Sequence, residues 1–182
     1  MGFALAEAAR DRGARVTLIA GPTELAPPTG VACVRIVSAD DLAQAVDGHL
    51  AGQRVVVMSA AVADQRPAER APQKAKKQDG DELVRLVRTR DILAGLGALP
   101  APRPLLVGFA AETERVLEHA RGKLERKNLD LIVANDVSEA GAGFASATNR
   151  VVVLGRDGTE RELSGSKLRV AHGIWDEVRA RL

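Results

Sequence analysis

Tyrosine is absent from this chain of 182 residues, and aromatic residues of all kinds make up only 2% of it. A surface that stacks single-stranded bases on exposed rings is therefore excluded as its main business. A single cysteine, Cys33, excludes a disulfide within the chain and fits a reducing cytoplasm. Cys33 lies in the apolar run "VACVRIV", where a buried, inert thiol is expected rather than a catalytic one. No apolar run reaches the roughly 18 residues that a membrane-spanning helix needs. The N-terminus lacks the basic-then-apolar order of a secretory signal. Charge of one sign is scarce too: 26 Lys and Arg face 24 Asp and Glu, a formal +2. That excludes a broad nucleic-acid surface, so any basic site must be local.

Familiar nucleotide signatures are also missing. There is no G-x-x-x-x-G-K-[ST] loop and no G-x-G-x-x-G turn. His49, His119 and His172 show no metal spacing and read as surface or packing residues. No Ser-His-Asp set can be argued from their placement.

What is present is a soluble globular balance, 46% hydrophobic and 27% charged, at a length that suits one domain with a real core. "GFALAEAARDRG" predicts an amphipathic helix closed by Gly13. "ARVTLIAGP" predicts a buried strand, "CVRIVS" a second, and "RVVVMSAAVAD" a third running to Asp64. Between the last two, Ser38, Asp40 and Asp41 open the helix "DDLAQAVDGHL". "ELVRLV" alternates like an outer strand, and "DILAGLGAL" is a short helix. "PLLVGFAAE" and "LDLIVANDV" are strands either side of a long helix that Thr113 caps. "RVVVLGRDGTEREL" is a hairpin bent at Asp157-Gly158. The last helix starts at Ser164 or Ser166, and Trp175 packs it onto the sheet. Strand and helix alternate, which predicts an α/β fold: a three-layer, Rossmann-like domain with a mainly parallel, mixed sheet. Folds of this kind usually open with a strand, a Gly-rich turn and then the first helix. Here the chain opens on the helix.

Residues 65–82 form the one long loop, expected to be mobile, and it carries Lys74, Lys76 and Lys77 as K-x-K-K. Lys123 and Lys127 lie four apart on the long helix and share a face. Two lysine groups, one on a lid and one on a helix, would suit a triphosphate. By charge alone, an ordinary solvated surface is the better account. Position adds to the case, since Asp64, "GFAAET" and "AND" all fall at the carboxyl ends of strands, where open parallel sheets bind ligands.

In order along the chain, "MGFALAEAARDRGARVTLIAGP", "SAAVAD", "KAKK", "VGFAAET", "KLERKNLDLIVAND" and the terminal "SK" helix resemble phosphopantothenoylcysteine synthetase. This family is the phosphopantothenate–cysteine ligase half of a bacterial bifunctional coenzyme A biosynthesis protein. K-x-K-K alone is weak; the ordered set is specific. The resemblance implies a CTP- and magnesium-dependent ligase acting on 4′-phosphopantothenate and cysteine through an acyl-cytidylate. It also implies a cytoplasmic homodimer, often joined to a flavin-dependent decarboxylase domain. By the same resemblance Met58, Ser59, Ala60, Asp64, Lys74, Asp91, Phe109, Lys123 and Lys127 bind the nucleotide. Lys74 is the residue needed for the acyl-cytidylate step, and no metal ligand is assigned. Gln65 stands where the family has an aromatic, and Arg90 where it has proline. The family's first strand, Gly-rich turn and an asparagine used to turn the intermediate over would precede Met1, so the chain is expected to lack them. Three other readings stay open: a nucleotide-binding module without full catalysis, an NAD(P) oxidoreductase, and a structural dimerisation domain.

Overall fold

A computed structural model describes residues 1–69, 73, 83–112, 114–136 and 147–182. In chain order the elements are α1 (Gly2–Asp11), β1 (Thr17–Ala20), β2 (Ala32–Arg35), α2 (Ala39–His49), β3 (Val55–Met58), β4 (Gln65–Pro67) and β5 (Leu86–Arg88). They continue with α3 (Ile92–Gly97), β6 (Leu105–Glu112), α4 (Val116–Arg126), β7 (Leu131–Asp136), β8 (Thr148–Gly155), β9 (Glu160–Ser166) and α5 (Lys167–Arg179).

The central sheet has five strands in the order β3-β6-β7-β8-β9. β3, β6 and β7 are parallel, and β8 and β9 continue antiparallel from β7. β1 and β2 form a separate parallel pair, and β4 and β5 a separate antiparallel one. β6 and β7 are covered on both faces, so their sequences are apolar without alternation, as buried parallel strands require. Leu106, Ala110, Ile132 and Ala134 face α2, α3 and α4. Leu105, Val107, Leu131 and Val133 face α1 and α5. The result is three layers, helices on sheet on helices, as expected for a Rossmann-like domain. No described helix is long and apolar enough to cross a membrane.

Local chemistry sets the boundaries. Ser38 accepts a hydrogen bond from Asp41 N–H at 3.1 Å, and the Asp41 carboxylate accepts from Ser38 N–H at 2.8 Å, a reciprocal capping box that opens α2. Ser166 caps α5. Trp175 donates from Nε1 to Leu5 O at 2.9 Å, which ties α5 to α1.

Several expectations need correction. The third strand stops at Met58, and Ser59–Ala63 is irregular, so Asp64 lies beyond the strand and just ahead of β4. The alanine-rich "SAAVA" continues the apolar pattern of the strand without the pairing that makes one. Residues 65–67 are strand β4, not loop; of the remaining loop, 70–72 and 74–82 lie outside the described residues. The outer strand shrinks to Leu86–Arg88. Thr113 lies outside the described residues, and the N-cap of α4 is Arg115, held at a positive φ of 47°. Cys33 is half-buried rather than buried. β1 is likewise only half-buried through Thr17–Ile19.

Gly158 turns the β8–β9 hairpin with a φ of +86°, which a side chain would resist. Beside it, Asp157 takes Arg181 Nη2 at 2.9 and 2.7 Å. That guanidinium, with hydrogen bonds from Thr159, lowers the Asp157 carboxyl from its usual 3.8 to about 2. A depressed carboxyl contributes stability that is full above the ordinary carboxylate pKa and is lost as pH falls through the folded value. Asp157→Asn is therefore expected to flatten the pH dependence of stability between about pH 4 and pH 2. The variant should be slightly less stable than the parent at neutral pH and converge with it at the acid end, a small effect because Asp157 is exposed. Urea melts across that range, on both proteins, check this; parallel acid limbs would show that Asp157 carries none of the dependence.

Candidate active site

The parallel strands β3, β6 and β7 bring their carboxyl ends to one edge of the sheet. Met58 closes β3 opposite Gly108, and its side chain joins the cluster beneath α2, α3 and α4. Ser59 stands against the start of α1: a Cβ on Gly2 would lie 2.8 Å from Ser59 Oγ. Ala60 is exposed, and so is Asp64.

Thr89 clamps this segment to the approach of α3. Its N–H donates to Asp64 O at 2.9 Å and its hydroxyl to Ala63 O at 2.6 Å. Arg90 then grips Asp47 of α2 through both guanidinium nitrogens, at 2.6 and 3.1 Å. Arg90 is the residue that stands where the resemblance has proline. An ion pair to α2 thus restrains a turn that a ring would otherwise stiffen.

Asp91 comes next and does two things. Its Oδ1 caps α3 by accepting from Ala94 N–H at 3.0 Å. The same carboxylate holds Lys127 Nζ, at 3.0 Å from Oδ1 and 2.8 Å from Oδ2. Partial burial works against the Asp91 charge. The hydrogen bonds from Lys127 and Ala94, and the charges of Lys127 and Arg126, outweigh it and hold the carboxyl below its usual range. Asp91 is thus ionised at neutral pH and already committed to the helix and to Lys127. Its carboxylate sets the position of the Lys127 ammonium while the side chain stays half exposed.

Lys127 is the residue that ends α4. Lys123 sits one turn back, partly buried and partnered. The two helix ends are joined closely: Asn128 Nδ2 donates to Gly97 O at 2.6 Å, and Arg156 Nη2 to Asn128 Oδ1 at 2.6 Å. Asp64, Thr89, Asp91 and Lys127 therefore form one connected run, although 63 positions separate its ends in sequence.

Phe109 sits apart from that run. It pairs with Val133 and packs with α1 and α5, the face of the sheet opposite to α3 and α4. Side-chain alternation along β6 puts it there, one residue past Gly108. Lys74, with Lys76 and Lys77, lies outside the described residues.

One contributor went unread in sequence: Thr89 gave no signal, because its partners are 25 and 26 residues away. Asn135, in the strand end "AND", is the next-to-last residue of β7. It pairs with Ala111, and its Oδ1 is buried without a hydrogen-bond partner. An unmet buried acceptor costs about 1–3 kcal/mol, which a donor on a bound ligand would recover.

Known proteins resemble this chain along its length. The model of the DNA/pantothenate metabolism flavoprotein C-terminal domain matches residues 1–182. The coenzyme A biosynthesis bifunctional protein CoaBC of Bacillus subtilis is 48% identical over 182 residues, covering 99% of this chain and 45% of the relative. CoaBC of Escherichia coli K12 is 49% identical over 161 residues, covering 87% of this chain and 40% of the relative. The chain thus spans less than half the length of these two relatives. The crystal structure of the CoaBC C-terminal domain superposes with a TM-score of 0.80 at 39% identity, covering 99% of this chain and 81% of that one. A Cab2 mutant in complex with phosphopantothenate-cysteine shares the fold, with a TM-score of 0.77 at 16% identity. With a match along its whole length, the chain belongs to the DNA/pantothenate metabolism flavoprotein C-terminal domain family.

Proposed function

We propose that this domain joins 4′-phosphopantothenate to cysteine at the expense of CTP, a step of coenzyme A biosynthesis. The observation that carries this reading is the 48% identity to B. subtilis CoaBC across the whole chain. The carboxyl-edge run of Asp64, Thr89, Asp91 and Lys127 supports it.

A carboxylate oxygen of 4′-phosphopantothenate attacks the α-phosphorus of CTP, and pyrophosphate leaves with the electrons of the broken P–O bond. The cysteine amine then attacks the acyl carbon. A C–N bond forms, CMP departs with the C–O pair, and the amine loses a proton. Both partners of the first step are anions, so positive charge must be in place beforehand. Lys123 and Lys127 supply it from α4, and Asp91 acts on the nucleotide through Lys127, by fixing where that ammonium stands. Asp64 and the Met58–Ala60 turn meet the nucleotide at the end of β3. Lys74 acts on the reacting phosphate, and closure of its segment would shield the acyl-cytidylate from water.

Among the described residues no group of three or more His, Cys, Asp or Glu could cage a metal ion. Magnesium in this proposal would arrive with the triphosphate and would supply further neutralisation of its charge. The proposal includes a cytoplasmic homodimer and, in the longer protein, a flavin-dependent decarboxylase partner domain.

The test is calorimetric titration with CTP and magnesium, with ATP and NADP as controls. 4′-Phosphopantothenate and cysteine are then added and products followed by mass spectrometry. CTP-selective binding with CMP and 4′-phosphopantothenoylcysteine is expected. Binding without product would reduce the domain to a nucleotide-binding module, and NADP binding would favour an oxidoreductase.

A further inference from the structure

Asp40 and Asp47 stand seven residues apart on α2, so they share one face of the helix. Each meets an arginine from the segment that includes the β4–β5 hairpin. Arg66 Nε lies 3.6 Å from Asp40 Oδ2, and Arg90 holds Asp47 through two nitrogens, at 2.6 and 3.1 Å. The Arg90 pair is the better built, because two parallel N–H···O bonds fix the plane of the guanidinium. Asp47 lies in the last turn of α2, whose Leu42, Ala43 and Val46 are buried in the core. A carboxylate at a helix C-terminus is disfavoured by the helix dipole, and the guanidinium offsets that. Arg90 Nη2 also reaches α3, 3.9 Å from where a Cβ on Gly95 would stand.

Thr89, Arg90 and Asp91 are consecutive, and their side chains hold three different parts of the fold. Thr89 fastens Ala63, Arg90 fastens α2, and Asp91 fastens α3 and Lys127. We propose that Arg90, anchored on Asp47, is a positioning residue. It sets the turn between β5 and α3, and through that turn the placement of Asp64 relative to the Asp91–Lys127 pair. The consequence for CTP rests on the reaction proposed above; the brace itself does not. The Arg90 guanidinium is occupied by Asp47, so it acts on the nucleotide only through its two neighbours. Its loss loosens the substrate and transition-state complexes alike, which raises KM for CTP and leaves kcat unchanged. The pair is half exposed, 51% for Arg90 and 49% for Asp47, so effects of several-fold are expected rather than orders of magnitude.

The experiment compares Arg90→Gln, Asp47→Asn and the exchanged pair Arg90→Asp with Asp47→Arg against the parent. Hydrogen exchange, followed by NMR without nucleotide, is read at Thr89 and Ala94, whose N–H groups donate to Asp64 O and Asp91 Oδ1. Val107, fully buried in the sheet, is the reference. Each single variant is expected to speed the first two amides roughly two- to fivefold with Val107 unchanged, and the exchanged pair to restore the parent's rates. Parent rates in the single variants would overturn the brace, and so would equal acceleration at Val107, which marks general destabilisation. Ligation kinetics then read the consequence. KM for CTP is expected to rise roughly two- to fivefold in Arg90→Gln at constant kcat, and to return in the exchanged pair. An unchanged KM, or a fall in kcat alone, would overturn the positioning role. A parent that fails to ligate would sink the proposed reaction, and amide exchange would still decide the brace.

Discussion

Lys74→Gln is expected to lower ligation about 10²- to 10³-fold while leaving the fold intact. In the proposed reaction the first chemical step brings a carboxylate to a phosphate that already bears negative charge. An ammonium placed at that phosphate gains strength as charge builds in the transition state, and glutamine keeps the length of the side chain but not its charge. The loss should therefore fall on kcat more than on CTP affinity, and pyrophosphate release should fall with it. Pyrophosphate assays with and without cysteine separate the two halves of the reaction. A variant that releases pyrophosphate at the normal rate would remove Lys74 from acyl-cytidylate formation. A circular dichroism melt matching the parent guards against a folding artefact.

Gly97→Ala is expected to destabilise the protein by about 2 kcal/mol or more, even after the roughly 1 kcal/mol that alanine gains over glycine in a helix. A Cβ at Gly97 would lie 1.9 Å from Lys127 O and 3.3 Å from Asn128 Cβ. The first of these is backbone, which cannot rotate aside, so the ends of α3 and α4 must part. That would stretch the hydrogen bond from Asn128 to Gly97 O and draw Lys127 away from Asp91. A fall in Tm of roughly 4–8 °C should follow, together with weaker CTP binding. A Tm equal to the parent's would show that the two helix ends separate freely and do not set the position of Lys127.

How much of this was legible in the sequence depended on how far each interaction reaches. The capping box at Ser38 and Asp41 spans three residues, and the bend at Asp157-Gly158 is local; both were readable. The apolar runs of β6 and β7 announced strands. The β3 boundary failed because hydrophobicity continues through "SAAVA" while pairing does not. β1 reads as fully buried, yet it borders an open cleft, and no run of residues reports whether a neighbour is present. In the site, the nucleotide-binding roles of Ser59, Asp64 and Phe109 came from the resemblance. The resemblance did not say that Phe109 faces α1 and α5, although strand alternation from Gly108 contains that answer. The pairing of Asp91 with Lys127 was out of reach: 36 positions separate them, and only the docking of α3 on α4 brings them together.

Trp175 has a use that follows from its surroundings. It is the sole tryptophan of a chain without tyrosine, so ultraviolet emission comes almost wholly from one indole. That indole is hydrogen-bonded to Leu5 O and also lines the cleft between β1 and β3. Its emission maximum and its accessibility to a quencher such as acrylamide therefore register the seating of α5 on α1. The protein carries its own fluorescent gauge, at the joint where unfolding would be seen.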